Sequence, residues 1–114
     1  KLLQEGGVTL VKIFLHISKK EQRKRLQSRL DDAAKRWKFS LDDLRERRYW
    51  DDYQRAYEAA LTRCNTHEAP WYIVPSNRKW YRNLMVSRIL CKTLKKMAPQ
   101  FPEPQKGLDG LVVE

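Results

Sequence analysis

The sequence has few of the residues that stiffen or cross-link small domains. It holds only two cysteines, Cys64 and Cys91, far apart and in no CxxC pair. Two such thiols make no disulfide framework, and the simplest reading is reduced, partly buried thiols in a cytoplasmic protein. The two histidines, His16 and His67, stand alone without metal-ligand spacing, so no zinc site is expected. Glycine is scarce, with four residues. No apolar run approaches the roughly 18 residues a membrane span needs, and mean hydropathy is -0.77. Signal-peptide patterning is also missing. The chain starts at Lys1 and its first residues read as the end of a helix, so the expectation is a piece of a longer protein.

What is abundant is positive charge and aromatic surface. Lys and Arg number 24 against 14 Asp and Glu, a net charge of +10. That balance calls for an anionic partner: nucleic acid, polyphosphate, nucleotide or an acidic surface. Four Trp, five Tyr and three Phe are enough to build one core, which excludes wholesale disorder.

Gly6-Gly7 stops the opening helix. Val8–Ile17 (VTLVKIFLHI) is β-branched, aromatic and almost wholly apolar, the composition of a parallel strand buried on both faces. Ser18 with Glu21 three residues on forms a capping box that starts a helix. Leu26, Leu30, Ala33, Ala34 and Trp37 fall on one face at 100° per residue, and Arg25, Arg29 and Arg36 line a neighbouring one. Lys38-Phe39 reads as a break. Ser40 with Asp43 caps a second helix that bends near Arg47–Tyr49, and Tyr49, Trp50, Tyr53, Ala56, Tyr57, Ala60 and Leu61 form its apolar stripe. The two stripes are expected to pack as a helical hairpin.

After a polar connection at Cys64–Pro70, Trp71–Val74 is a short strand closed by Pro75, with a turn at Ser76-Asn77. A helix follows from about Arg78 to Met97. Its tightest stripe is Trp80, Leu84, Cys91 and Leu94, and the helix is expected to be well covered. Lys92, Lys95 and Lys96 suit its negative C-terminal end. Residues 98–114 are a Pro-rich tail. Strand, basic helical hairpin, strand and helix in that order fit an α/β sheet carrying an inserted helical module.

Arginine is the side chain for phosphate, because its planar fork binds bidentately and keeps its charge. Arg25, Arg29 and Arg36 along one helix face could contact successive phosphates of a chain. The plainer alternative is a solvated face on which Asp32 pairs with one of them.

Beyond this, His16-Ile17-Ser18-Lys19 with Glu21-Gln22, Arg25, Arg29, Asp32, Lys35 and Trp37-Lys38 resembles the segment entering the lid of family 2 polyphosphate kinases. Trp50-Asp51 with Tyr53 and Ala56 is similar to that family's W-D-x-Y-x-x-A. Thr66, Ala69-Pro70-Trp71, Val74-Pro75 and Lys79-Trp80 resemble its closing strand and last helix. One departure is Ala33, where the family often has proline.

The resemblance implies a P-loop kinase-like three-layer α/β fold in the parent protein, with this chain mostly helical and bearing two short parallel strands. Residues 1–97 would be the C-terminal part of that domain: strand 8–17, helical lid 18–64, strand 71–75 and helix 78–97. The implied activity is transfer of phosphate between inorganic polyphosphate and AMP/ADP or GMP/GDP. Walker A and Walker B elements lie upstream in the family, and no G-x-x-x-x-G-K string occurs here. The magnesium (Mg2+) ligands would therefore lie outside this chain, which is expected to be inactive alone.

By motif position, Arg25, Arg29, Lys38 and Lys79 are the candidate phosphate- or nucleotide-binding residues, with Arg36, Asp51 and Asn77 as secondary candidates. Asp51 is read first as a structural partner for a lid arginine, and Trp50, Trp71 and Trp80 as core. A homo-oligomer and no membrane association are expected. The alternative is a basic helical nucleic-acid-binding module, disfavoured because the aromatics fall on the apolar stripes.

Overall fold

A computed structural model describes residues 5–113. Glu5 is helical and Gly7 has a φ of 79°, the left-handed conformation of a helix stop. The rest of the expected opening helix lies outside the described residues.

Strand β1 covers Lys12–His16 and strand β2 covers Trp71–Pro75. They pair in parallel, with Lys12 opposite Trp71, Phe14 opposite Ile73 and His16 opposite Pro75. β1 is shorter than the apolar run that announced it, because only five residues of β2 face it. It is not buried on both faces either: Leu15 is exposed and Ile13 and Phe14 are half-buried. β2 holds the best-buried apolar side chain, Val74, at 2% exposure, with Ala69 and Ser76 nearby in sequence also buried.

Helix α1, Lys19–Asp31, starts where Ser18 accepts a bond from the Glu21 amide at 3.1 Å. Half of the expected capping box is missing. Glu21 turns to Arg25, and the Ser18 amide instead donates to Oδ1 of Asn77 at 2.9 Å. A long-range bond thus replaces a local one and ties the end of β1 to the end of β2.

α1 stops earlier than its apolar spacing suggested. The Asp32 carboxylate accepts from the Ala34 amide at 3.0 Å and pairs with Lys35 at 2.5 Å, closing a turn. Ala33, Ala34 and Trp37 are therefore off the helix and exposed, Trp37 by 79%. A single 3-10 turn, Arg36–Lys38, leads to helix α2, Leu41–Arg48. Here the capping box is complete: the Ser40 hydroxyl accepts from α2 and Asp43 accepts from the Ser40 amide at 3.1 Å. The expected bend is a break at Tyr49, after which helix α3 runs Trp50–Arg63.

The two apolar stripes do not interdigitate as a hairpin. Leu26 of α1 and Trp50 and Tyr53 of α3 border a common groove of about 360 Å³. The α3 aromatics lean on the sheet instead, with the Tyr57 and Phe14 rings 4.9 Å apart.

Helix α4, Lys79–Met97, lies against β2. Its half-buried side is Tyr81, Met85, Val86 and Ile89. The stripe most conspicuous in the sequence, Trp80, Leu84, Cys91 and Leu94, faces outward, Trp80 by 63%. The expectation of a covered helix and a core Trp80 is corrected accordingly, while Trp50 and Trp71 are half-buried. Both thiols are free and exposed, not partly buried. No described helix is long and apolar enough to cross a membrane.

Candidate functional site

Two parallel strands end side by side at His16 and Pro75, and a helix begins just beyond each. The Ser76 amide donates to the His16 carbonyl at 2.7 Å, which extends the ladder past the strand ends. Ser76 is 1% exposed, and its hydroxyl is spent on the Val74 carbonyl at 2.9 Å. The carboxyl edge of a parallel sheet is where open α/β folds place ligands. Here it carries a hollow of about 280 Å³ lined by His16, Ser18, Pro75, Ser76, Asn77, Arg78 and Tyr81.

Arg25 spans the two halves of this edge. Its Nε donates to Glu21 at 2.8 Å, and its Nη2 donates to the carbonyls of Ser76 at 2.6 Å and Asn77 at 3.2 Å. The guanidinium, half-buried, thus links α1 to the turn after β2. Asn77 completes the link through its bond from the Ser18 amide, with its Nδ2 3.4 Å from the Ser18 hydroxyl. Arg29 sits one turn along α1, half-buried and with no hydrogen bond or ion pair to another described residue. It is an uncommitted cation on the same helix.

The remaining candidates are not brought to this edge. Arg36 is off α1 in the 3-10 turn, and its Nε donates to the Leu30 carbonyl at 2.7 Å, so the row of three guanidiniums on one helix face does not form. Lys38 is exposed, its ammonium 5.1 Å from the Trp37 ring centroid. Asp51 is exposed and pairs with no arginine among the described residues; its neighbour Asp52 bonds Arg55 instead. Asp32 pairs with Lys35, not with Arg25, Arg29 or Arg36. That lysine and the Ala34 amide hold the Asp32 carboxyl below its ordinary pKa. Lys79 opens α4 from an exposed position.

Arg78, not Lys79, lines the hollow, and it is the residue that sequence spacing missed. It occupies the N-cap position of α4 in extended conformation and makes no side-chain cap. The first turn of α4 also holds no acidic residue, so its amide end is not neutralised locally. Lys20, Arg23 and Lys24 line a second, larger hollow along α1 that also reaches Ser18 and Asn77. A run of Lys and Arg around a short turn after a strand would have been the signal for both sets. Among the described residues no group of three His, Cys, Asp or Glu could hold a metal ion.

Comparison with known proteins places this arrangement. The family model for polyphosphate kinase 2 matches residues 1–102. The chain is 53% identical over 114 residues to the AMP/ADP-polyphosphate phosphotransferase of Meiothermus ruber, covering all of this chain and 43% of that protein. It is 46% identical over 101 residues to the ADP-polyphosphate phosphotransferase of Rhodopseudomonas palustris, covering 89% of this chain and 35% of that protein. The crystal structure of polyphosphate kinase 2 from Arthrobacter aurescens TC1 superimposes with a TM-score of 0.87 at 46% identity, over 94% of this chain and 38% of that one. The chain thus spans less than half the length of these relatives. A match along almost the whole chain, in sequence and in fold, makes it a member of the polyphosphate kinase 2 family.

Proposed function

We propose that this chain is the strand-end and lid portion of a polyphosphate-dependent nucleotide phosphotransferase, with Arg25 and Arg29 supplying cations to the transferring phosphates. The observation that carries the reading is the convergence at one edge of two parallel strand ends, the N-termini of α1 and α4, and Arg25. The relatives named as phosphotransferases for AMP/ADP and ADP support the substrate class.

Phosphoryl transfer asks little covalent work of a protein. It needs fixed positive charge around the equatorial oxygens and exclusion of water. The helix ends at Ser18 and Arg78 direct amides toward that edge, where anions are favoured. Arg29, unpaired among the described residues, offers its fork to a phosphate oxygen pair. Lys79 and Asn77 flank the same turn; Lys38, Arg36 and Asp51 stand farther out and could reach substrate only if the segment between the strands moves as a lid. The magnesium that the family resemblance implies has no fitting donor set among the described residues, so no step is routed through it. We further place the enzyme in the cytoplasm, in keeping with its two free thiols, and as a homo-oligomer, in keeping with the outward apolar face of α4.

The test is polyphosphate-dependent phosphorylation of AMP and ADP by the full-length protein with magnesium. Arg29→Ala should lower kcat/KM about a hundredfold, the scale of one lost transition-state cation, with an unchanged unfolding midpoint. Arg25→Ala should lose as much, and Arg25→Lys should restore part of it. Unaffected variants in an active enzyme would remove the two arginines from the site. A folded protein that ignores polyphosphate and binds RNA with a steep salt slope would replace the reading by nucleic-acid binding.

A further inference from the structure

α2 and α3 hang from α1 by a connection, residues 32–40, in which only Asp32 and Phe39 are half-buried, and little apolar surface joins them to it. One side chain bridges the gap. Nη1 of Arg47, in the last turn of α2, donates to the Lys19 carbonyl at 2.9 Å and to Oε1 of Gln22 at 2.6 Å. Both acceptors lie in the first turn of α1, beside the Ser18 amide that Asn77 receives.

Arg47 is half-buried, and the acids next to it on α2 are already engaged. Asp43 caps Ser40, and Glu46 accepts from the Tyr53 hydroxyl. No ion pair of Arg47 forms among the described residues, and its bonds across the groove are its principal attachment among them.

We infer that Arg47 is a positioning residue, a clasp that holds α2 and α3 against the first turn of α1 in the substrate-competent arrangement. This rests on the phosphotransferase reading for its consequence, although not for its geometry. Where only a fraction of molecules holds the competent arrangement, apparent affinity falls by that fraction while the competent form turns over as before. Loss of the clasp therefore raises KM and spares kcat, which distinguishes it from a cation touching the transferring phosphate.

The experiment uses the full-length protein and follows two readouts. Arg47→Met should raise the KM for polyphosphate about tenfold, since bonds to a charged donor are the stronger kind, with kcat changed by less than about threefold. Amide hydrogen exchange across residues 41–63 should speed up in the same variant, without change in α4. Gln22→Met should give a smaller effect of the same kind, and the double variant should be less than additive. Gln22→Met alone carries the test if Arg47→Met fails to fold. Unchanged exchange in Arg47→Met overturns the clasp, as does a fall in kcat at constant KM. If the wild-type protein shows no turnover with polyphosphate, the phosphotransferase reading fails and exchange alone decides the clasp.

Discussion

Tyr53 shows how a single hydroxyl can fix the angle of a broken helix. The chain breaks at Tyr49 between α2 and α3, and the Tyr53 hydroxyl donates to Glu46 across the break. The hydrogen bond to Glu46, with its negative charge, raises the phenol pKa above 10.0. A raised folded-state pKa means that the bond contributes fully below the unfolded pKa and is lost as pH rises through the folded value. The α2–α3 joint should therefore loosen only in strongly alkaline solution. In Glu46→Gln the Tyr53 titration should move back toward 10.0, read from the carbon resonance of the labelled ring. A Tyr53 titration unmoved by that substitution would mean that the bond does not form in solution. Asp32 runs the other way: its lowered pKa makes the 32–35 turn stable above the ordinary carboxylate range and weaker as pH falls through the folded value. Both groups are exposed, so these are local effects on turns, not on global stability.

At the scale of elements, the turn after α1 explains the departure at Ala33. The Lys35 amide donates to the Asp32 carbonyl at 2.9 Å, which makes residues 32–35 a β-turn with Ala33 at its second position. Proline is favoured there, and Asp32 already has the extended backbone, φ -98° and ψ 109°, that a residue before proline requires. The Ala33 amide bonds to no described residue. Ala33→Pro should therefore stabilise the protein by about 0.4–1 kcal/mol, through a less flexible unfolded chain. Denaturant unfolding of the two full-length forms would show it, and a loss of stability would mean that the turn needs its amide. The same turn marks where the sequence was hard to read. Local chemistry was legible: the caps at Ser18 and Ser40, the stop at Gly7 and the break before α3 all come from neighbours in the chain. The apolar period runs on through Ala33 to Trp37 although the helix does not, because Asp32 competes for the backbone in a way that periodicity does not register. The bonds that shape the strand-end edge, Arg25 to the carbonyls after β2 and Asn77 to Ser18, join residues far apart in sequence. Their residue types were visible, but their partners were not.

At the scale of the whole molecule, the chain does not enclose itself. Its radius of gyration is 21.5 Å, against about 13 Å for a compact domain of this length. Its accessible surface is 10383 Å², whereas a compact monomer of this mass would expose about 6,600 Å². Part of the excess lies in residues 98–113, all of them exposed, and part lies in the sheet and α4. Among the described residues the two-stranded sheet has an open edge on each side, and α4 turns Trp80, Leu84 and Leu94 outward. Unpaired strand edges and a wide apolar helix face are what associating chains use. Residues 1–114 produced alone should therefore sediment as a dimer or larger species. Charge reversal on the α4 face, Leu84→Glu with Leu94→Glu, should shift that species toward monomer. A compact, monodisperse monomer with native helical content would show that the chain covers these surfaces itself, and would require a packing different from the one described.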